Sequence, residues 1–341
     1  MTESEPTVAI PTHNGGELFA RSLAALARQT VRHELLICDS GSTDGSLDLA
    51  RASGARVVEI EKSQFGHGAT RNLLMTEASG TRVAFLTQDA EPGDEHWLER
   101  LLEGLELAPD VGVAFGPYRP RPGASPAVRM ELEHWFSSLA PDGEPCVERL
   151  TAQERAGLSV SALIGRRGFL TDANACVSRA AWERTPFRAV AYAEDRVLAI
   201  DMLRAGYAKA FVPQAAVLHS HDYGAGEELR RSFDEWRGLL EVYGWREPLS
   251  PVHLARVTRG VLGQARRELI REGVSRSERR ATLLRVGAHQ LLRQLGALLG
   301  SRADRLGVRV RRRLSLERRG GFAPLELDRE TPSSAESGGD R

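Results

Sequence analysis

Most residues fit for chemistry in this 341-residue chain stand in a few short stretches. The run Val83-Ala84-Phe85-Leu86-Thr87 stops abruptly at Gln88-Asp89-Ala90, and Glu91-Pro92-Gly93-Asp94 turns the chain away. A carboxylate just past an apolar strand can hold a divalent cation or a sugar hydroxyl, and it can equally be a turn residue or a helix N-cap. Asp39-Ser40-Gly41-Ser42-Thr43-Asp44-Gly45 repeats the arrangement, and Pro11-Thr12-His13-Asn14 stands in a similar place. Gly-rich turns let backbone N–H groups approach an anion, and an aspartate there can pair with a base-edge N–H or a ribose hydroxyl. Phe65-Gly66-His67-Gly68-Ala69-Thr70-Arg71-Asn72 opens a helix. An arginine near a helix N-terminus suits a pyrophosphate, or else a solvated surface ion pair. Glu194-Asp195 starts another helix, where the dipole favours acids whatever else they do. His219-Ser220-His221-Asp222 offers a metal ligand beyond a last strand.

The elements that must position these groups read as alternating strand and helix. Thr7–Ile10, Leu35–Cys38, Val57–Ile60 and residues 82–87 are short apolar runs. Helical patterns to about Gln29, over Ser46–Ala52 and over Gly68–Glu77 separate them. This alternation predicts a βαβ-built, largely parallel sheet with right-handed crossovers. Such a sheet brings the ends at Pro11, Asp39 and Asp89 to one rim, where ligands of open α/β sheets bind. An amphipathic helix with Trp97, Leu98, Leu101, Leu102 and Leu105 on one face follows, then a strand at Val111–Phe115. Residues 127–170 have weak periodicity and are expected to be mobile and partner-specific. Phe169–Val177 enters a further strand, with Asp172 and Asn174 as polar candidates. The helix from Glu194 ends at Gly206, and another runs from about Gly226 to Tyr243. From 251 to 300 the pattern predicts two Arg-rich amphipathic helices, packed on the protein or lying on an anionic membrane. The expected division is a domain over 1–245, a helical appendix over 246–320 and a disordered tail over 321–341.

Bulk composition sets limits. The chain holds 46 basic and 46 acidic residues, so net charge gives no bias toward nucleic acid. The balance hides a gradient: residues 251–320 carry 18 Arg against five acidic residues. Cys38, Cys146 and Cys176 fit neither a zinc spacing nor a disulfide framework, which points to a reducing compartment. The acidic N-terminus is no signal peptide, and no apolar run is long enough to span a membrane. A cytoplasmic protein is expected. G-x-G-x-x-G and P-loop fingerprints are both absent.

In order, Val8-Ala9-Ile10-Pro11-Thr12-His13-Asn14, Asp39 to Gly45, His67 to Asn72, Leu86-Thr87-Gln88-Asp89-Ala90, Glu194-Asp195 with Gly206-Tyr207, and His219 resemble family 2 of the inverting glycosyltransferases. The resemblance covers about residues 6–245. His67-Gly-Ala-Thr-Arg-Asn72, Thr87-Gln-Asp-Ala90 and Asp172-Ala-Asn174 before Ser178-Arg-Ala-Ala-Trp182 look most like its bacterial rhamnosyltransferase-like branch. It implies the GT-A fold, a Rossmann-like, mostly parallel sheet flanked by helices, here with a C-terminal helical appendix. It also implies a nucleotide-diphosphate sugar donor, with rhamnose a candidate sugar, and a glycan or lipid-linked acceptor in cell-surface polysaccharide synthesis. Pro11, Thr12, Asn14, Asp39 and Ser42 would line the nucleotide-sugar site together with Gln88 and Asp89, with Arg71 reaching the diphosphate. Asp89 matches the last residue of the family's D-x-D, and Gln88 replaces the first, removing one carboxylate from the metal site. His219 matches a further ligand position for Mg²⁺ or Mn²⁺, with His221 the weaker of the pair. Asp195 would be the general base and Glu194 would position the acceptor. The region 251–319 would meet the inner face of the plasma membrane or a second copy. Rival readings are a sugar-1-phosphate nucleotidyltransferase, whose early Gly-rich activation loop is missing, and a non-catalytic scaffold that kept the fold.

Overall fold

The computed structural model describes residues 4–190 and 192–325. Its first half alternates as the apolar runs predict: β1 (Thr7–Thr12), α1 (Gly16–Leu26), β2 (Glu34–Asp39), α2 (Ser46–Ala52), β3 (Arg56–Glu59), α3 (His67–Glu77) and β4 (Arg82–Leu86). Next come β5 (Glu91–Pro92), α4 (Trp97–Glu106), β6 (Val111–Phe115), β7 (Tyr118–Arg119), α5 (Pro126–Leu139), β8 (Cys146–Glu148) and α6 (Ala152–Gly157). Then follow β9 (Asn174–Ser178), α7 (Arg179–Arg184), α8 (Glu194–Arg204), β10 (Ala208–Phe211), β11 (Val217–Leu218) and α9 (Ala225–Tyr243). The helices α10 (Pro251–Arg271), α11 (Arg276–Gly300) and α12 (Val308–Leu314) complete the described chain.

Eight strands form one sheet in the order β3-β2-β1-β4-β9-β6-β10-β8. β1 pairs in parallel with β2 and β4, placing Thr12 opposite Asp39 and the end of β4 beside them. The expected single rim is therefore real. β9 runs antiparallel to both neighbours and sets Asn174 opposite Leu86. Its reversal brings the start of a strand, with Thr171-Asp172-Ala173 just before it, to the rim formed by the ends of β1, β2 and β4. A three-stranded sheet, β5-β11-β7, carries the chain from Leu218 to His219 at the same side.

Helices cover both faces. Trp97, Leu98 and Leu101 of α4 pack with Ile10, Ile37 and Leu86 on one face. Leu74, Met75, Phe136, Leu198 and Met202 pack with Ala9, Phe85 and Phe115 on the other. Two expected segments gain detail here. Residues 127–170, expected to be mobile and partner-specific, carry most of α5 together with β8 and α6; Ser125 caps α5, and Phe136 and Leu139 enter the second core. Their periodicity is weak because α5 packs on the sheet at one end and on α10 and α11 at the other, through Met130. The tail assigned to 321–341 is docked over 321–325. Leu325 N–H donates to the Glu241 carbonyl at 2.8 Å, and Phe322 joins a cluster with Phe233 and Leu240. The remainder lies outside the described residues.

Candidate active site

The loop after β1 and the loop after β2 are tied into one cradle. Asp39 Oδ1 accepts from the N–H groups of Gly41 and Ser42 at 3.0 and 2.9 Å. The Ser42 hydroxyl accepts from Asn14 N–H, and Asn14 Oδ1 accepts from Thr43 N–H. Asn14 adopts φ 50°, a left-handed conformation that Asn tolerates better than most residues. Gln88 closes the third side. Its amide accepts from His13 N–H at 2.7 Å and donates to His13 C=O at 3.2 Å. Buried polar atoms nearly always find a partner, yet Asp39 Oδ2, Thr12 Oγ1 and His13 Nδ1 are buried without one. Three such atoms in one cradle make it a place for a polar ligand. Pro11, Thr12, Asn14, Asp39 and Ser42 do come together; Gln88 joins them by bracing the loop, and its amide is already occupied there.

Asp89, His219 and His221 offer ligand atoms that lie within 4.8 Å of one another. His221 Nε2 stands 3.2 Å from Asp89 Oδ2, and His219 Nδ1 stands 3.6 Å from Oδ1. The weaker standing expected for His221 is corrected: the two-residue β11 ends at Leu218 and lets both alternate residues turn to Asp89. Burial opposes ionisation of Asp89, but the His221 hydrogen bond and the histidine charges outweigh it and hold its carboxyl below the usual range. Burial pushes the His219 ring down to about 4 against the pull of Asp89, so near pH 7 it is neutral and keeps a lone pair to give. Tyr118 packs edge-on against His219 at 4.7 Å, fixing the ring. Mixed imidazole and carboxylate donors suit Mn²⁺ better than Mg²⁺, which prefers oxygen alone.

Arg71 requires a correction. Its side chain is 2% exposed and binds Asp172 Oδ1 at 2.8 Å and Glu194 Oε1 at 3.1 Å. The two carboxylates take its Nη groups and its Nε is buried without a partner, so in this arrangement the side chain is turned into the fold. Its place is internal because Gly68, in the first turn of α3, lies against the backbone of Arg188 and draws the helix inward. Asp172 is the partner that the sequence pattern could not select; only the reversal of β9 brings it here. Arg121 also escaped the sequence reading. It donates to the backbone carbonyls of Asp89 and Ser220, leaving a cation beside Asp89 whose Nε is buried and unpartnered. Asn174, the other polar candidate, is a brace inside the fold, bonded to Trp97, Pro117 and Ala215.

Glu194 and Asp195 open α8 after Ala193, which holds φ 63° and ψ 33°. A non-glycine residue there stores about 1 kcal/mol of strain, and the turn aims the two carboxylates at the rim. Asp195 is partly open to solvent. Burial, then the neighbouring charge of Glu194, pushes its carboxyl up to about 6. Burial and the acids around it also raise Asp172 far above the carboxylate range, against the pull of Arg71.

This geometry has relatives. The O-antigen chain rhamnosyltransferase RfbN of Salmonella typhimurium is 30% identical over 234 residues, 67% of this chain and 70% of that protein. Residues 7–164 match the family model described as glycosyl transferase family 2. The chain belongs to that family. The O-antigen chain rhamnosyltransferase WbaN of Salmonella anatum is 29% identical over 238 residues, again 67% of this chain and 70% of the relative. The mannosyltransferase PcManGT of Pyrobaculum calidifontis, solved with GDP-Man and Mn²⁺, superposes with a TM-score of 0.56 at 17% identity. That match covers 89% of this chain and 87% of the other, and it shares the fold. As a family 2 glycosyltransferase of GT-A architecture, the chain is an enzyme of glycosyl transfer. No helix among its described residues is long and apolar enough to cross a membrane.

Proposed function

We propose that this glycosyltransferase moves a hexose, with rhamnose the leading candidate, from a nucleotide-diphosphate donor to a hydroxyl of a glycan or lipid-linked acceptor in surface polysaccharide synthesis, with inversion. The observation that carries the reading is the convergence on one rim of a polar cradle, an Asp-His-His cluster and a carboxylate raised toward neutrality. The choice of sugar is supported by the likeness to RfbN and WbaN, both O-antigen chain rhamnosyltransferases.

Asp39, with Pro11, Thr12, Asn14 and Ser42, would receive the nucleoside, whose N–H and hydroxyl groups complement the orphaned Asp39 Oδ2 and Thr12 Oγ1. Asp89, His219 and His221 would hold a divalent ion, which when bound supplies a Lewis acid for the charge on the departing diphosphate. Arg121 takes the cationic place first assigned to Arg71. Asp195 accepts the proton of the acceptor hydroxyl as that oxygen attacks the anomeric carbon, a role worth on the order of 10²–10⁴-fold in rate. Glu194, held by Arg71, orients the acceptor. A base pushed up to about 6 is ionised at pH 7 and still basic enough to take the proton.

Transfer from dTDP-, UDP- and GDP-sugars by the wild type and Asp195→Asn is the test. The variant is expected to bind the donor as the wild type does and to lose transfer by at least about 100-fold. Undiminished transfer would remove Asp195 from the mechanism.

A further inference from the structure

We propose that the outer face of the α10–α11 hairpin docks on an anionic lipid surface. The residues concerned lie outside the strand-end rim, so the inference stands apart from the sugar-transfer reading.

α11 turns Val286, Gly296, Ala297 and Gly300 inward, against α9 and α5. At about 100° per residue, its opposite face carries Ala281, Leu284, Ala288, Leu291 and Leu295. Leu284 is 74% exposed and Leu291 61%, an apolar stripe in water where a packed helix would bury it. α10 turns Ala265 and Leu269 inward and presents Val252, Arg256, Arg259, Arg266, Arg267 and Ile270 outward. α11 rests on α9 and α5, and α10 rests on α11 and α5, so each helix keeps an outer face clear of the rest of the protein. A surface depression of about 440 Å³ opens along α10 between Pro251 and Arg259, and the exposed Leu249 stands just before it.

Charge selects the occupant. Arg256, Arg259, Arg266, Arg267, Arg280 and Arg285 are exposed, and among the described residues none of them forms an ion pair. Of the acids in α10 to α11, Glu272 pairs with Arg129 of α5, Glu268 accepts from Gln264 of its own helix, and Glu278 stands in the first turn of α11. A second copy of the chain on this face would oppose arginine to arginine. Single-stranded nucleic acid is gripped by stacked aromatics, and this face has none. A nucleic-acid duplex would satisfy the arginines and leave the leucines in water. An anionic bilayer satisfies both, with headgroup phosphates on the arginines and the leucines at the acyl boundary.

Co-sedimentation of the full chain with phosphatidylcholine vesicles containing about 30% phosphatidylglycerol, beside pure phosphatidylcholine, tests this without any sugar nucleotide. Failure of this binding therefore leaves the transferase reading untouched. Binding is expected to the anionic vesicles alone and to weaken steeply with salt. Joint Arg256→Glu, Arg259→Glu, Arg266→Glu and Arg267→Glu should weaken it on the order of 100-fold or more, at about five-fold per arginine. Leu284→Asp with Leu291→Asp should weaken it too, with an unchanged circular dichroism spectrum. Absent binding, equal binding to neutral vesicles, or indifference to both variant sets overturns the proposal. So does self-association that Leu284→Asp abolishes, or tighter binding to random-sequence duplex DNA than to the vesicles.

Discussion

Arg71 binds two carboxylates in a place closed to solvent, and removing one partner of such a cluster leaves buried charge uncompensated. Arg71→Met is therefore expected to destabilise the fold by about 3–5 kcal/mol, read as a lower melting temperature. Weaker donor binding at an unchanged melting temperature would return Arg71 to the diphosphate. Asp195 makes the opposite kind of statement, since its charged form is the useful one. With its carboxyl pushed up to about 6, it is protonated below that value, so transfer should fall on the acid side and level off above. The limb belongs to Asp195 with Asp172, because neighbouring buried acids titrate as a group; Asp195→Asn should remove it with the activity. His221→Ala removes one of three clustered ligands and should weaken Mn²⁺ binding by about 10-fold or more, measurable by titration calorimetry. Unchanged affinity would leave His221 as a neighbour of the metal site only.

Among elements, β9 and α11 do most to shape the molecule. β9 runs against β4 and β6, and its reversal delivers Asp172 to the rim. Ala193 turns the chain into α8 at a left-handed angle, which makes the first helical turn a fixed platform for Glu194 and Asp195. α11 comes close enough to α9 that a Cβ on Gly300 would stand 2.3 Å from the Phe233 carbonyl oxygen. Neither backbone can yield far, because Phe233 is fully buried. Gly300→Val is expected to destabilise by about 1–3 kcal/mol, and an unaltered thermal melt would show that the two helices can part. Ala288→Val, on the outer face of α11, should leave the melt unchanged.

Across the whole molecule, the C-terminal region is a layer of the protein as much as an appendix. Asp234 Oδ2 accepts from the Ser315 hydroxyl at 3.0 Å and from Leu316 N–H at 2.7 Å. Arg237, fully buried, donates to the Arg319 carbonyl. The strap so fixed sets Glu317 within 3.9 Å of His67, which itself lies 3.7 Å from Glu194. Residues far beyond 245 thus border the candidate acceptor side of the site. A chain ending at 245 would expose Phe233 and Leu240 and leave Asp234 and Arg237 without the strap. Loss of a single cooperative melt in calorimetry is expected. A sharp, unshifted transition would establish 1–245 as an independent domain.

By itself the sequence determined the strand-helix alternation, the α/β class and the residues at the ends of β1, β2 and β4. Those depend on local periodicity and on strands of one direction, which put consecutive strand ends on one edge. The family was legible only as a resemblance of its ordered motifs. The sequence also determined the two Arg-rich helices, whose stripes are local. What it could not determine was which charges meet. Arg71 looked free because its partners stand more than a hundred residues away, Asp172 just before a strand whose direction no local pattern reveals and Glu194 at the start of α8. His221 looked secondary because its reach to Asp89 depends on where a two-residue strand ends. Residues 127–170 looked irregular because α5 divides its contacts between the sheet and the C-terminal helices. Tertiary structure alone decided these points, since burial and pairing are properties of what folds back from a distance.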